Sequence, residues 1–204
     1  GYNERYKRVT GGICMGSYLN PGNKGFQESL NSEIYVDKTG LIEKTNEVLD
    51  TRQKFLCVSR PRRFGKSMAA DMLAAYYERG EDSAELFGTL KISKVESYEK
   101  NRNQYDIIKV NMQEFLSMTH SMDEMLSMLQ KYLIFDLTDH FDNVRFRDEN
   151  NLIQVMKDIY SKTKHSFVIL IDEWDCLFRE YQQDQEAQKK YLDFLRAWLK
   201  DKDY

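Results

Sequence analysis

At 204 residues the chain is long enough for one ordinary domain with a buried core. Its 41% apolar and 13% aromatic content exclude a disordered chain, and two prolines with ten glycines exclude collagen-like or linker-like sequence. Thirty basic residues against 33 acidic ones leave a net charge of −3 and a pI near 5.7, which fits neither a nucleic-acid wrapper nor a polybasic membrane binder.

The longest fully apolar run, Phe167 to Ile171, is far too short to span a bilayer. The first ten residues are polar and charged, unlike a secretory signal. Cys14, Cys57 and Cys176 lie far apart with no CxxC spacing, which argues against a disulfide framework or a zinc knuckle. The expectation is a cytoplasmic α/β protein without a membrane partner.

In chain order, residues 1–14 read as a lead-in punctuated by Gly11-Gly12, and a single domain is expected over 15–204. Asn20-Pro21-Gly22-Asn23 is dense in turn chemistry. Ile34-Tyr35-Val36 reads as a short strand, after which Asp37 caps a helix with Leu41, Ile42, Val48 and Leu49 on one face. Phe55 to Ser59 suits a strand buried on both faces. Met68, Ala69, Met72, Leu73 and Tyr76 then recur at helical spacing up to Gly80.

Asp106 to Asn111 is a second strand candidate. Ser121-Met122-Asp123-Glu124 is a capping box ahead of a stripe of Met122, Met125, Leu126, Leu129 and Leu133, which is read as core. Leu152, Ile153, Met156 and Ile159 mark another helix, Phe167 to Ile171 a third strand, and Ala187, Tyr191, Leu195 and Trp198 a last helix. Strands alternating with helices imply a mostly parallel sheet with helices on both faces.

Chemistry concentrates in two places. The first is Arg60 to Ser67, between a strand and a helix, whose Gly65-Lys66-Ser67 matches the second half of the phosphate-loop pattern G-x-x-x-x-G-K-[ST]. Backbone N–H groups over Arg62, Arg63, Phe64, Gly65, Lys66 and Ser67 would meet phosphate at a helix start, where the dipole favours its charge. The Lys66 ammonium suits β- and γ-phosphate oxygens, and the Ser67 hydroxyl suits Mg²⁺. Arg60 stands where the pattern has its first glycine, and Pro61 removes one donor. Arg62 and Arg63 either add positive charge at the pocket mouth or are solvated surface arginines.

The second place is the end of Val168 to Ile171, which runs into Asp172-Glu173. An apolar strand ending in Asp is the Walker B layout, with Asp172 holding Mg²⁺ and Glu173 placed to activate a water. The plainer alternative is a turn or helix cap, and the two half-motifs in correct order favour the nucleotide reading. Asp175 is read as a supporting carboxylate or a cap, and Trp174 as core. No role is assigned to His120, His140 or His165, and Cys57 is read as a small buried hydrophobe.

Five blocks, Met15 to Asn23, Gly25-Phe26, Tyr35 to Thr39, Ser59 to Ser67 and Ile171 to Asp175, together resemble the bacterial AAA-ATPase-like family. Members usually carry a C-terminal nuclease-like domain of the PD-(D/E)XK type. The resemblance implies a P-loop NTPase with ATP and Mg²⁺ as ligands, Lys66 and Ser67 on phosphate and metal, and Asp172 and Glu173 as the Walker B pair. Adenine over guanine rests on this resemblance alone.

The family continues past Tyr204, so a domain lacking its last strands is expected, with the sensor strand, any arginine finger and the nuclease-like domain out of view. Without that sensor strand, the Phe55 and Phe167 strands either pair directly, accept another segment or distort. Two functions stay open: a Mg-dependent ATPase, weak on its own, coupled to a partner, to self-association or to a nuclease-like domain; or a nucleotide-gated regulatory module with little hydrolysis. A nucleic-acid-processing factor is disfavoured, because no basic stripe lies outside Arg52 to Lys66.

Overall fold

Among the described residues three apolar, β-prone runs pair, and they form one parallel sheet. In the computed structural model, residues 18–32, 35, 37–50, 55–58, 66–200 and 204 are described, with 50, 55–58, 66 and 67 described by their backbone alone. The strands are β1 (Phe55–Val58), β2 (Asp106–Asn111) and β3 (Phe167–Asp172), in the order β1-β3-β2. Phe55 pairs with Ile169 and Ile107 with Val168, so β1 and β3 lie side by side directly.

Helices make up most of the described chain. They are α1 (Lys24–Leu30), α2 (Gly40–Asp50), α3 (Lys66–Tyr77), α4 (Ala84–Phe87), α5 (Tyr98–Asn101), α6 (Met112–Met118), α7 (Met122–His140), α8 (Leu152–Thr163), α9 (Cys176–Glu180) and α10 (Gln185–Leu199), with a 3₁₀ turn at Lys91–Lys94. Several start on side-chain caps. Asn111, Ser121, Asn151 and Asp184 each accept from a backbone N–H two or three residues on, which satisfies donors that the first helical turn leaves unpaired.

This corrects the expected architecture. A P-loop NTPase with a mostly parallel, multi-stranded sheet between helical layers is not what the described residues form. They form a predominantly helical chain around an open sheet of only three strands. The physical reason is the shortage of β-type sequence. The strand expected over 34–36 rests on Ile34 and Val36, which lie outside the described residues; Tyr35 between them is irregular.

Alternation along β3 divides the core in two. Phe167, Ile169 and Ile171 pack with Ile108 and Val110 against α6, α7, α8 and α10. Val168 and Leu170 pack with Ile107 against Leu73, Ala74 and Tyr77 of α3, beyond which lie Phe26 and Phe87. Helix α1 comes so close to α3 that a Cβ on Gly25 would sit 2.6 Å from Oδ2 of Asp71. Asp71 in turn pairs with Lys109 of β2.

Candidate functional site

The parallel register gathers three strand ends at one edge of the sheet. Asp172, the last residue of β3, lies opposite Val58 of β1 and Asn111 of β2. Helix α3 opens at Lys66 after β1 and packs along β3. Arg62, Arg63, Phe64 and Gly65, named above as phosphate binders, lie outside the described residues, as do the side chains of Lys66 and Ser67. The backbone places Lys66 and Ser67 in the first turn of α3, where unpaired N–H groups favour an anion.

Asp172 is 5% exposed. Period-two alternation gives it the face of Val168 and Leu170, the one covered by α3. Its Oδ1 accepts a 2.9 Å bond from the Glu173 N–H. Glu173 has φ +54°, the left-handed region that non-glycine residues adopt at a cost. Its carbonyl accepts from Cys176 N–H at 3.1 Å, closing the turn into α9.

Arg179, near the end of α9, clamps this loop, with nitrogens 3.2 Å from Oε2 of Glu173 and 3.4 Å from Oδ2 of Asp175. Tyr191 of α10 donates its hydroxyl to the Trp174 carbonyl at 2.6 Å, and the Trp174 ring meets Phe178 edge-on at 5.9 Å. Burial pushes the Cys176 thiol up to about 11, so it stays protonated and inert beside the site.

A cavity of about 480 Å³ opens beside the same helix, lined by Met68, Ala69 and Met72 of α3, Leu41 and Lys44 of α2, and Tyr35. Asp37, Lys38 and Lys91 stand around it. The Asp37 carboxylate is engaged: Oδ1 accepts from the Thr39 N–H at 2.9 Å and hydroxyl at 2.6 Å, and Oδ2 from the Lys91 N–H at 2.9 Å. These bonds outweigh its partial burial and hold the carboxyl below its usual range. Asp37 thus ties α2 to the 3₁₀ turn rather than capping the helix alone.

Sequence reasoning named Asp172, the last residue of β3, and Glu173 after it, but did not name Arg179 or this cavity. The i,i+4 spacing of Asp175 and Arg179 was the available signal for the clamp. Nothing local marks the cavity, whose walls come from segments far apart in sequence. Among the described residues no three His, Cys, Asp or Glu side chains form a metal cluster. Mg²⁺, however, takes one or two carboxylates plus substrate phosphates rather than an all-protein cage. The hard oxygen donors of Asp172 and Ser67 suit that ion.

A family model described as "Predicted AAA-ATPase" matches residues 22–202. No curated protein and no solved structure shows a significant match. No helix among the described residues is long and apolar enough to cross a membrane.

Proposed function

We propose that this chain, which belongs to the AAA-ATPase-like family, binds ATP with Mg²⁺ and hydrolyses it slowly. The observation that carries the reading is the register Val58↔Asp172. It sets the buried acid beside the end of β1, the strand that leads through the phosphate-loop sequence to Lys66. In this reading Lys66 pairs with β- and γ-phosphate oxygens, and the α3 N–H groups hold the phosphates. Ser67 and Asp172 hold the metal, which when bound neutralises charge developing on the phosphate oxygens. Glu173 orients a water and accepts its proton.

The ion pair of Arg179 with Glu173 favours the second reading, a nucleotide-gated module with little hydrolysis that controls a partner or a nuclease-like domain. The carboxylate must turn away from the guanidinium to serve a water. Calorimetric titration with ATP, with and without Mg²⁺, tests binding; phosphate release from the same sample separates the two readings. Absence of binding in a folded sample rejects both.

A further inference from the structure

We infer that Asp71 is a positioning residue: it holds the Lys109 ammonium away from Asp172 and so keeps that carboxylate open to a metal ion. The inference rests on the reading that Asp172 and Ser67 hold Mg²⁺ beside a nucleotide. Lys109 is a cation on a covered face of the sheet. Ile107, two residues earlier, packs on that face with Val168 and Leu170 under α3. Strand alternation gives Lys109 the same face. The parallel register sets Lys109 opposite Leu170 and Asn111 opposite Asp172. Asp172 shares the face of Leu170, so it is the diagonal neighbour of Lys109, two residues on along β3. With a rise of about 3.3 Å per residue and strands about 4.8 Å apart, their Cα atoms lie about 8 Å from each other. The flexible four-carbon stem of a lysine reaches most of the way across that gap.

The ammonium pairs instead with Oδ1 of Asp71. Asp71 stands on α3 one turn after Ser67, at i and i+4, so the two occupy one helix face. Both side chains of the pair are 26% exposed, so solvent screens it only in part. The carboxylate is confined from its other side as well. A Cβ on Gly25 of α1 would lie 2.6 Å from Oδ2, so the bare backbone of glycine gives the acid its room. Asp71 is thus wedged between α1 and β2 and keeps the ammonium where it is. With Asp71 uncharged, Asp172 is the acid that β3 offers on the same face. A cation there would offset the charge that draws Mg²⁺ and take oxygens that ligate it.

The test measures the Mg²⁺ concentration that half-saturates the ATP-dependent rise in Tm, a readout that needs no turnover. Asp71→Asn keeps the shape and removes the charge. It is expected to raise that concentration about tenfold, as for disturbance of one close charge contact. Lys109→Met is expected to leave it no higher than about twice the parent's. The double variant, Asp71→Asn with Lys109→Met, is expected to return to within about twofold of the parent, because the competing cation is gone. A strut that merely joined α3 to β2 would show loss in both single variants and no recovery in the double. Failure of the double variant to recover, or an unchanged Asp71→Asn, overturns the inference and leaves the metal reading standing. A parent chain whose Tm with ATP does not respond to Mg²⁺ overturns the metal reading and this inference with it. Should Asp71→Asn fail to fold, Asp71→Ser takes its place, alone and with Lys109→Met, under the same criteria.

Discussion

Arg179 holds Glu173 across the first turn after β3, guanidinium to carboxylate at 3.2 Å. The residue proposed to activate water is thus already engaged. Its backbone is fixed as well, by φ +54° and by the bond from its N–H to Asp172. Glu173→Gln is expected to keep ATP affinity and lower turnover by about 10²–10⁴, the usual worth of a general base. Arg179→Ala is expected to raise turnover severalfold, and Arg179→Lys to leave it near the parent. Phosphate-release assays at saturating ATP check all three. A Glu173→Gln variant as fast as the parent would make that residue a structural turn element only.

Nucleotide binding should be visible as stabilisation. Ligand at a hundredfold over its Kd adds about 2.7 kcal/mol. For a chain of this size that raises Tm by roughly 5–10 °C. Lys66→Ala is expected to remove most of the shift without lowering Tm in the absence of nucleotide, a comparison that differential scanning fluorimetry makes directly.

Stability should fall with pH through Glu78, which follows the end of α3. Burial pushes its carboxyl up from 4.5 to about 7, against the Gly22 N–H bond at 2.8 Å, with Glu81 and Asp106 adding repulsion. The folded chain therefore holds this proton more tightly than the unfolded chain. The contribution is fully present below about pH 4.5 and is lost as pH rises through about 7. The span is on the order of 3 kcal/mol. Glu78→Gln keeps an acceptor for Gly22 and removes the charge, so its urea midpoint should vary less between pH 5 and 8 than the parent's.

Gly25 should not tolerate a side chain. Its Cβ would meet the Asp71 carboxylate at 2.6 Å, and Asp71 is held by Lys109. Gly25→Ala must displace that carboxylate or separate α1 from α3, at a cost of about 1–3 kcal/mol. Gly25→Ala combined with Asp71→Ser should recover part of the loss. Equilibrium denaturation of the single and double variants measures both effects.

The elements that could be read from the sequence are those whose signal is local. The stripes of α7, α8 and α10 were plain because Met125, Leu129, Met156, Tyr191 and Trp198 recur at helical spacing and are all buried. The Ser121 cap was equally plain, though Glu124 reaches back to the His120 N–H rather than to that of Ser121. Asp172-Glu173 stood out because an apolar run ends on two acids. The extent of the sheet was misjudged, since strands alternating with helices along a sequence do not fix how many strands pair. The left-handed backbone of Glu173, the Arg179 clamp and the cavity all depend on long-range packing, which no spacing rule encodes.

The central place of β3 has a kinetic consequence. β1 and β2 touch it from opposite sides and do not touch each other. Phe55 must therefore find Ile169, more than a hundred residues away, before β1 has a ladder, and Ile107 must find Val168 before β2 pairs with β3. Such distant closures slow folding, because chain entropy is lost before contacts repay it. During synthesis the first two strands wait for the third, and their open edges are the ones most exposed to wrong pairing. The segment that ends in Asp172 thus also sets the moment at which the chain becomes a sheet.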